Sequence, residues 1–232
     1  MEIYSQKLKI LTEHADFNRN LRLRELLKFA QEMSIAHTTL MGAGRDKTLD
    51  KGLLWIVSKQ HFEISRLPDY DEWIEMLSWA GETRFVLLPR FYEFNTLAGE
   101  TLIRGSAIWG LIDEKTRTII KPVEHGIIIK PENTGRELAI PLGFRPPVLS
   151  ERAEIEVKYS GADLNGHLNN TAYLDLVMDL IPISFLSSHN PKTLDIQYKK
   201  EIKLGGKTSV SYGLVDDCWW FSAEEFLIKI QY

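Results

Sequence analysis

A chain of 232 residues can form one large domain or two small ones, with material for a substantial core. Hydrophobic residues at 44% and charged residues at 26% suit a soluble globular protein, and a net charge of −4 argues against a nucleic-acid partner. The single cysteine, Cys218, excludes an intramolecular disulfide and a multi-cysteine metal site and fits a reducing compartment. No apolar run is long enough to span a bilayer, and MEIYSQKLKI lacks the features of a secretory signal. The expectation is a cytoplasmic protein without a membrane span.

Loose alternation over Ile3–Leu11 predicts a first strand. After a polar turn, Leu23, Leu26, Leu27, Ala30 and Met33 recur at helical spacing, with Asn18 or Asn20 as the expected cap. From Leu53 to Ile120 the pattern changes to β-branched and aromatic runs. They cover Leu53–Ser65, Trp73–Ala80, Thr83–Asn95, Glu100–Ile112 and Thr118–Lys121, with turn residues between them. Residues 122–150 hold Pro122, Pro131, Pro141, Pro146 and Pro147 and no sustained period, which reads as a surface linker with a short strand at Gly126–Ile129. Beyond it a strand at Ala153–Tyr159 leads to a polar cluster and a helix from Asn170 to Phe185. Strands follow at Thr193–Ile202, Thr208–Val215, Cys218–Glu224 and Phe226–Ile230.

The element order therefore repeats. Ala15-Asp16-Phe17-Asn18-Arg19-Asn20-Leu21 aligns without gaps on Ala162-Asp163-Leu164-Asn165-Gly166-His167-Leu168, an offset of 147 residues from Asp16 to Asp163. Glu63-Ile64 lines up with Glu201-Ile202 in the strand after each helix. A duplicated α+β unit follows, each copy a long helix on a curved antiparallel sheet, with the two sheets joined edge to edge. The expected domains are 1–121 and 151–232 with the linker 122–150 between them.

The copies differ chemically. Arg19 and Asn20 stand where the second copy has Gly166 and His167. Asp163, Asn165 and His167 occupy alternate positions, so in an extended segment they face one side, where they can orient a water, accept its proton and bond a reacting carbonyl. Gly166, Asn169 and Asn170 complete the cluster as candidate substrate contacts. The chain lacks a nucleophile elbow, a P-loop and a dinucleotide fingerprint. No two histidines pair at zinc-ligand spacing, so neither cofactor nor metal is expected. Water-based hydrolysis in the second copy, with binding in the first, is the reading. Among residues 197–202, Glu201 by itself reads as a solvated strand residue beside Lys199 and Lys200.

Asp163-x-Asn165-x-His167-x-Asn169-Asn170-x-x-Tyr173 resembles the signature of the acyl-acyl-carrier-protein thioesterases. Leu54-Trp55-Ile56-Val57-Ser58, Arg66-x-Pro68, Trp79, Gly99-Glu100-Thr101-Leu102, Arg104-x-Ser106, Trp109 and Thr116-Arg117 resemble that family's N-terminal half in order. The resemblance implies tandem hot-dog domains and hydrolysis of fatty acyl-carrier-protein thioesters to free fatty acid, ending fatty-acid synthesis. It also implies a bacterial-type, cytoplasmic member. Asp163, Asn165, His167 and Glu201 match the family's catalytic set, with Glu201 or Asp163 handling the water proton and helix N–H groups polarising the carbonyl. Plant members carry a cysteine after that acid, where this chain has Ile202.

Trp55 is a further candidate substrate contact, since tryptophans of the first half could line an acyl tunnel. The implied partner is an acidic carrier protein bearing a phosphopantetheine arm, for which Lys199, Lys200, Lys203 and Lys207 are the candidate surface. A homodimer is left open. Two other readings stay alongside: an acyl-CoA hydrolase of the 4-hydroxybenzoyl-CoA thioesterase type, which shares Asp-x-x-Gly-His-x-Asn-Asn, and a non-catalytic acyl-binding module.

Overall fold

A computed structural model describes residues 3–132, 134–136 and 138–232; Met1, Glu2, Asn133 and Glu137, which belong to the expected first domain and linker, lie outside the described residues. In chain order the first half forms β1 (Tyr4–Lys9), α1 (Leu23–Leu40), β2 (Leu53–Ile64), β3 (Trp73–Ala80), β4 (Leu88–Thr96), β5 (Thr101–Asp113) and β6 (Ile119–Ile120). The second half forms β7 (Glu151–Glu156), α2 (Tyr173–Met178), α3 (Ile183–Leu186), β8 (Thr193–Tyr198), β9 (Lys207–Val215), β10 (Cys218–Ser222) and β11 (Phe226–Gln231). All strands share one antiparallel sheet in the order β1-β3-β4-β5-β2-β8-β11-β10-β9-β7, with β6 pairing on β5. Counted inward from its own edge, each half has the same order of equivalent strands, and β2 meets its counterpart β8 at the centre.

The apolar stripe of α1 explains its place. Leu26, Leu27, Ala30 and Met33 are at most 1% exposed and lie over the sheet with Ile74, Tyr92 and Phe94. Each fully buried large side chain contributes about 1.5–3 kcal/mol. The cap differs from expectation: the helix starts after Arg22, which makes no side-chain cap, while Asn18 turns away to donate to Leu186 O at 2.8 Å. In the sheet, Phe62 lies across Gly105, where an added Cβ would come within 2.3 Å of the ring. Glycine makes room there for an aromatic side chain.

The second helical segment is the larger departure. The single helix expected over Asn170–Phe185 is two short pieces, α2 and α3, because Pro182 cannot donate into a continuing helix and caps the start of α3 instead. The expected strand at Gly126–Ile129 does not form; Ile127 is buried against Ala43, Leu53 and Leu111 without ladder bonds. The strand expected from Thr83 begins at Leu88, and residues 81–87 form a turn that exposes Phe85.

Residues 122–150 carry the chain to the far edge of the sheet. Glu132 N donates to Ala80 O, Ser106 Oγ to Ala139 O at 2.5 Å, and Gln197 Nε2 to Phe144 O at 3.2 Å, while the Phe144 ring reaches Trp220. The segment thus crosses both halves before entering β7.

Candidate active site

The loop that carries the polar cluster is built by Asp163. Its Oδ1 accepts the N–H of Asn165 at 2.8 Å and of His167 at 3.0 Å, and its own N–H donates to His167 O at 2.7 Å. Asp16 does the same in the first half: Asn18 N and Asn20 N donate to its Oδ1 at 2.8 and 3.0 Å, and Asp16 N donates to Asn20 O at 2.8 Å. Both loops turn through a left-handed residue, Gly166 at φ 74° and Arg19 at φ 67°. A Cβ on Gly166 would meet nothing within 4 Å, so glycine serves the backbone angle there, not a close approach.

A short bridge then brings the acid. Leu168 N donates to Ile202 O at 2.7 Å and Leu204 N to Gly166 O at 2.9 Å, which lays residues 201–204 beside the loop. Glu201 Oε2 lies 3.8 Å from His167 Nε2, longer than a direct hydrogen bond, and its Oε1 pairs with Arg117 Nη2. His167 is largely buried, and its Nδ1 has no partner among the described residues. Arg117 comes from the β5–β6 turn of the other half. Asp113 accepts the Lys115 and Thr116 N–H groups and so shapes the turn in which Arg117 takes φ 57°.

The same bridge exists in the first half, with Leu21 N donating to Pro68 O at 2.8 Å and Tyr70 N to Arg19 O at 2.7 Å. Pro68 therefore corresponds to Ile202, an offset of 134 residues, and Glu201 has Leu67 as its counterpart. The expected alignment of Glu63 with Glu201 is four residues out of step. The first loop lacks the histidine, the glycine and the acid together.

Most backbone donors of the second loop are already paired. The N–H groups of Asn165, Gly166, His167, Leu168, Asn169, Thr171 and Ala172 all bond within the fold. Asn169 uses its Oδ1 on Thr171 N and Oγ1, at 2.9 and 2.8 Å, so it shapes the turn into α2. Asn170 offers its carbonyl to Tyr198 Oη at 2.9 Å. The Asn165 side chain is exposed and makes no hydrogen bond among the described residues, leaving its amide able to meet an oxygen that gains charge.

Leu164 and Asn165 form the exposed rim of a cavity of about 390 Å³ between α1 and the first-half sheet, walled by Leu53, Leu54, Trp55, Leu88 and Trp109. A larger hollow of about 670 Å³ lies beside the first loop, lined by Phe17 and Asn18 with Met178, Ile183 and Leu186. In it Asn18 donates to Leu186 O at 2.8 Å and Arg24 pairs with Asp175. Ile202 is buried, and Cys218 sits buried in β10, where burial pushes its thiol pKa up and disfavours the thiolate. Arg117 was visible in the sequence only as part of a Thr-Arg turn, and its contact with Glu201 depends on the fold.

Two half-sheets of matching strand order, one carrying a helix of 18 residues across it, define a tandem hot-dog fold. An acyl-ACP thioesterase from Bacteroides thetaiotaomicron superposes with a TM-score of 0.81 at 20% identity, covering 99% of this chain and 97% of that one. A 12:0-ACP thioesterase from Umbellularia californica superposes with a TM-score of 0.81 at 16% identity, covering 99% and 96%. The family model for the acyl-ACP thioesterase N-terminal domain matches residues 1–128, and that for the C-terminal domain matches residues 146–225. The chain belongs to the acyl-ACP thioesterase family. It is 23% identical to a chloroplastic palmitoyl-acyl carrier protein thioesterase of Gossypium hirsutum over 91% of its own length and 54% of that protein's. It spans about half the length of the curated relatives it matches.

Proposed function

We propose that this protein hydrolyses fatty acyl-carrier-protein thioesters in the cytoplasm, releasing a free fatty acid and the carrier's thiol. The observation that carries the reading is the Glu201–His167 pair beside a loop whose Leu164 and Asn165 rim an apolar cavity. The acyl chain lies in the first half (residues 1–121), and the second half (151–232) supplies the reacting groups across the 122–150 linker.

Glu201 accepts a proton from water as the water oxygen bonds to the thioester carbon. His167 Nε2 holds that water beside the carboxylate, and Arg117 fixes the carboxylate's direction. The Asn165 amide donates to the carbonyl oxygen as it becomes negative. The carbon–sulfur bond then breaks, and the proton passes to the departing sulfur. Asp163 acts through the loop: its Oδ1 is held by two N–H groups, the arrangement that Asp16 shows where no reactive set exists.

The deciding experiment measures free acid released from matched acyl-carrier-protein and acyl-CoA thioesters. The carrier-protein substrate should turn over with higher kcat/KM, and Glu201→Gln should lower its rate by ~10²–10⁴-fold with the fold intact. Higher kcat/KM on the CoA ester would favour the acyl-CoA hydrolase. Acyl binding without release from either would leave a binding module.

A further inference from the structure

The cavity that receives the acyl chain in this reading holds a buried cation. Arg90, on β4, is 4% exposed and lines the cavity with Leu54, Leu88, Pro89 and Ile35. Its Nη1 lies 2.9 Å from His37 Nδ1, which must accept because a guanidinium only donates, and it also donates to Ser78 Oγ at 3.3 Å. Nη2 donates to Thr38 Oγ1 at 2.9 Å. These bonds use three of the five guanidinium N–H groups and include no carboxylate among the described residues. A buried cation of this kind ordinarily has an acid beside it.

A second group in the same wall repeats the pattern. Trp55 Nε1 is buried with no acceptor among the described residues. The remaining polar chain of the wall is satisfied within itself: Trp109 Nε1 donates to Tyr92 Oη at 3.3 Å, Tyr92 Oη lies 2.7 Å from Ser34 Oγ, and Ser34 Oγ donates to Ala30 O at 2.8 Å. What the wall leaves over is donors: Trp55 Nε1 without an acceptor and two Arg90 N–H groups that no described residue accepts, in a wall otherwise suited to hydrocarbon. The exposed rim at Asn165 lies where the thioester would react, whereas Arg90 lies in the interior.

We propose that this cavity takes an acyl chain carrying an oxygen function remote from the thioester, a hydroxyl, oxo or carboxylate group that accepts hydrogen bonds from Arg90 and Trp55. The inference rests on the reading that the cavity holds the acyl chain. A carboxylate gains most, because it supplies a counter-charge that none of the described residues gives Arg90, as well as acceptors. A plain chain leaves the donors unmet, and a site with unmet buried donors discriminates against a ligand that lacks the matching group.

The test is equilibrium binding, to the wild-type protein, of acids masked at C1 as neutral methyl amides so that the plain chain carries no carboxylate of its own, followed by tryptophan fluorescence, since Trp55 and Trp109 line the cavity. Saturated acids from decanoic to hexadecanoic are compared with counterparts bearing a mid-chain oxo, ω-hydroxy or ω-carboxy group. At the best chain length the oxygenated acid should bind at least ~10-fold tighter, the factor expected of one hydrogen bond to a charged donor. Arg90→Met should erase the preference, and Trp55→Phe, which breaks no hydrogen bond, should reduce it. If Arg90→Met does not fold, the wild-type series and Trp55→Phe decide alone. Equal or tighter binding of the plain acid at every length overturns the proposal, even where plain acyl thioesters are hydrolysed and the thioesterase reading stands. Preference for oxygenated acids by a protein that hydrolyses no thioester supports it and removes that reading.

Discussion

Asp16 and Asp163 make the same hydrogen bonds in two loops, yet only the second loop carries His167 and lies beside Glu201. Asp16 serves the backbone where the chemistry is missing, and we infer that Asp163 does the same. Asp163→Asn keeps an oxygen in the same place and should retain turnover within ~10-fold, whereas Asp163→Ala should lose both the turn and activity, with capping-type losses of about 0.5–2 kcal/mol in stability. Steady-state rates and thermal melts of the two variants check this. A loss in Asp163→Asn as deep as in Glu201→Gln, with an unchanged melt, would make Asp163 the base. The loop was legible in the sequence because a gapless repeat exposes both the shared aspartate and the changed neighbours. Glu201 was not legible from its own surroundings, since a lone acid among lysines looks solvated. Its standing came from resemblance, and its proximity to His167 comes from a two-bond bridge that no periodicity encodes.

Among the elements, α1 and most strands followed from apolar spacing, and the misjudged ones have local causes. Pro182 splits the second helix, and the run from Thr83 opens into a turn before β4 starts at Leu88. Gly126–Ile129 has strand composition but joins no ladder; Ile127 N donates back to Pro122 O at 3.0 Å instead. At the β2–β8 seam, His61 stands opposite Asp195, with Nδ1 and Oδ1 2.6 Å apart, and this hydrogen bond raises the imidazole pKa above its ordinary 6.5. A raised folded-state value means that the pair stabilises fully below the unfolded value and that the contribution is lost as pH rises through the folded one. The melting temperature of the wild type should therefore fall from about pH 6 to about pH 9 more steeply than that of His61→Gln. Parallel profiles would show that the pair does not titrate with folding.

For the whole molecule, a net charge of −4 would oppose encounter with the acidic carrier protein proposed as its partner, so approach would depend on local cations. The four lysines near Glu201 are not equivalent. Lys200 pairs with Glu224, Lys207 lies 3.9 Å from Glu156 and Lys199 donates to Ala223 O, while Lys203 is exposed with no ion pair among the described residues. Lys203→Ala should raise KM for an acyl-carrier-protein substrate by ~2–5-fold with kcat little changed, and Lys200→Ala should do less. Added salt should raise KM in the wild type, and a small pantetheine thioester should respond to neither change. An unaltered KM throughout would move the docking surface elsewhere.

The central seam also sets the order in which the chain can assemble. Most other neighbouring strands are close in sequence, whereas β2 and β8 pair residues such as Lys59 and Gln197, well over one hundred positions apart. Joining such distant segments carries the largest loop-closure cost in the sheet and rewards it late. Each half can form its hairpins before the seam closes, so seam contacts belong after the rate-limiting barrier. Weakening the seam with His61→Ala should then accelerate unfolding in denaturant jumps and leave the refolding limb nearly unmoved. A slowed refolding limb would place the union of the halves in the nucleus instead.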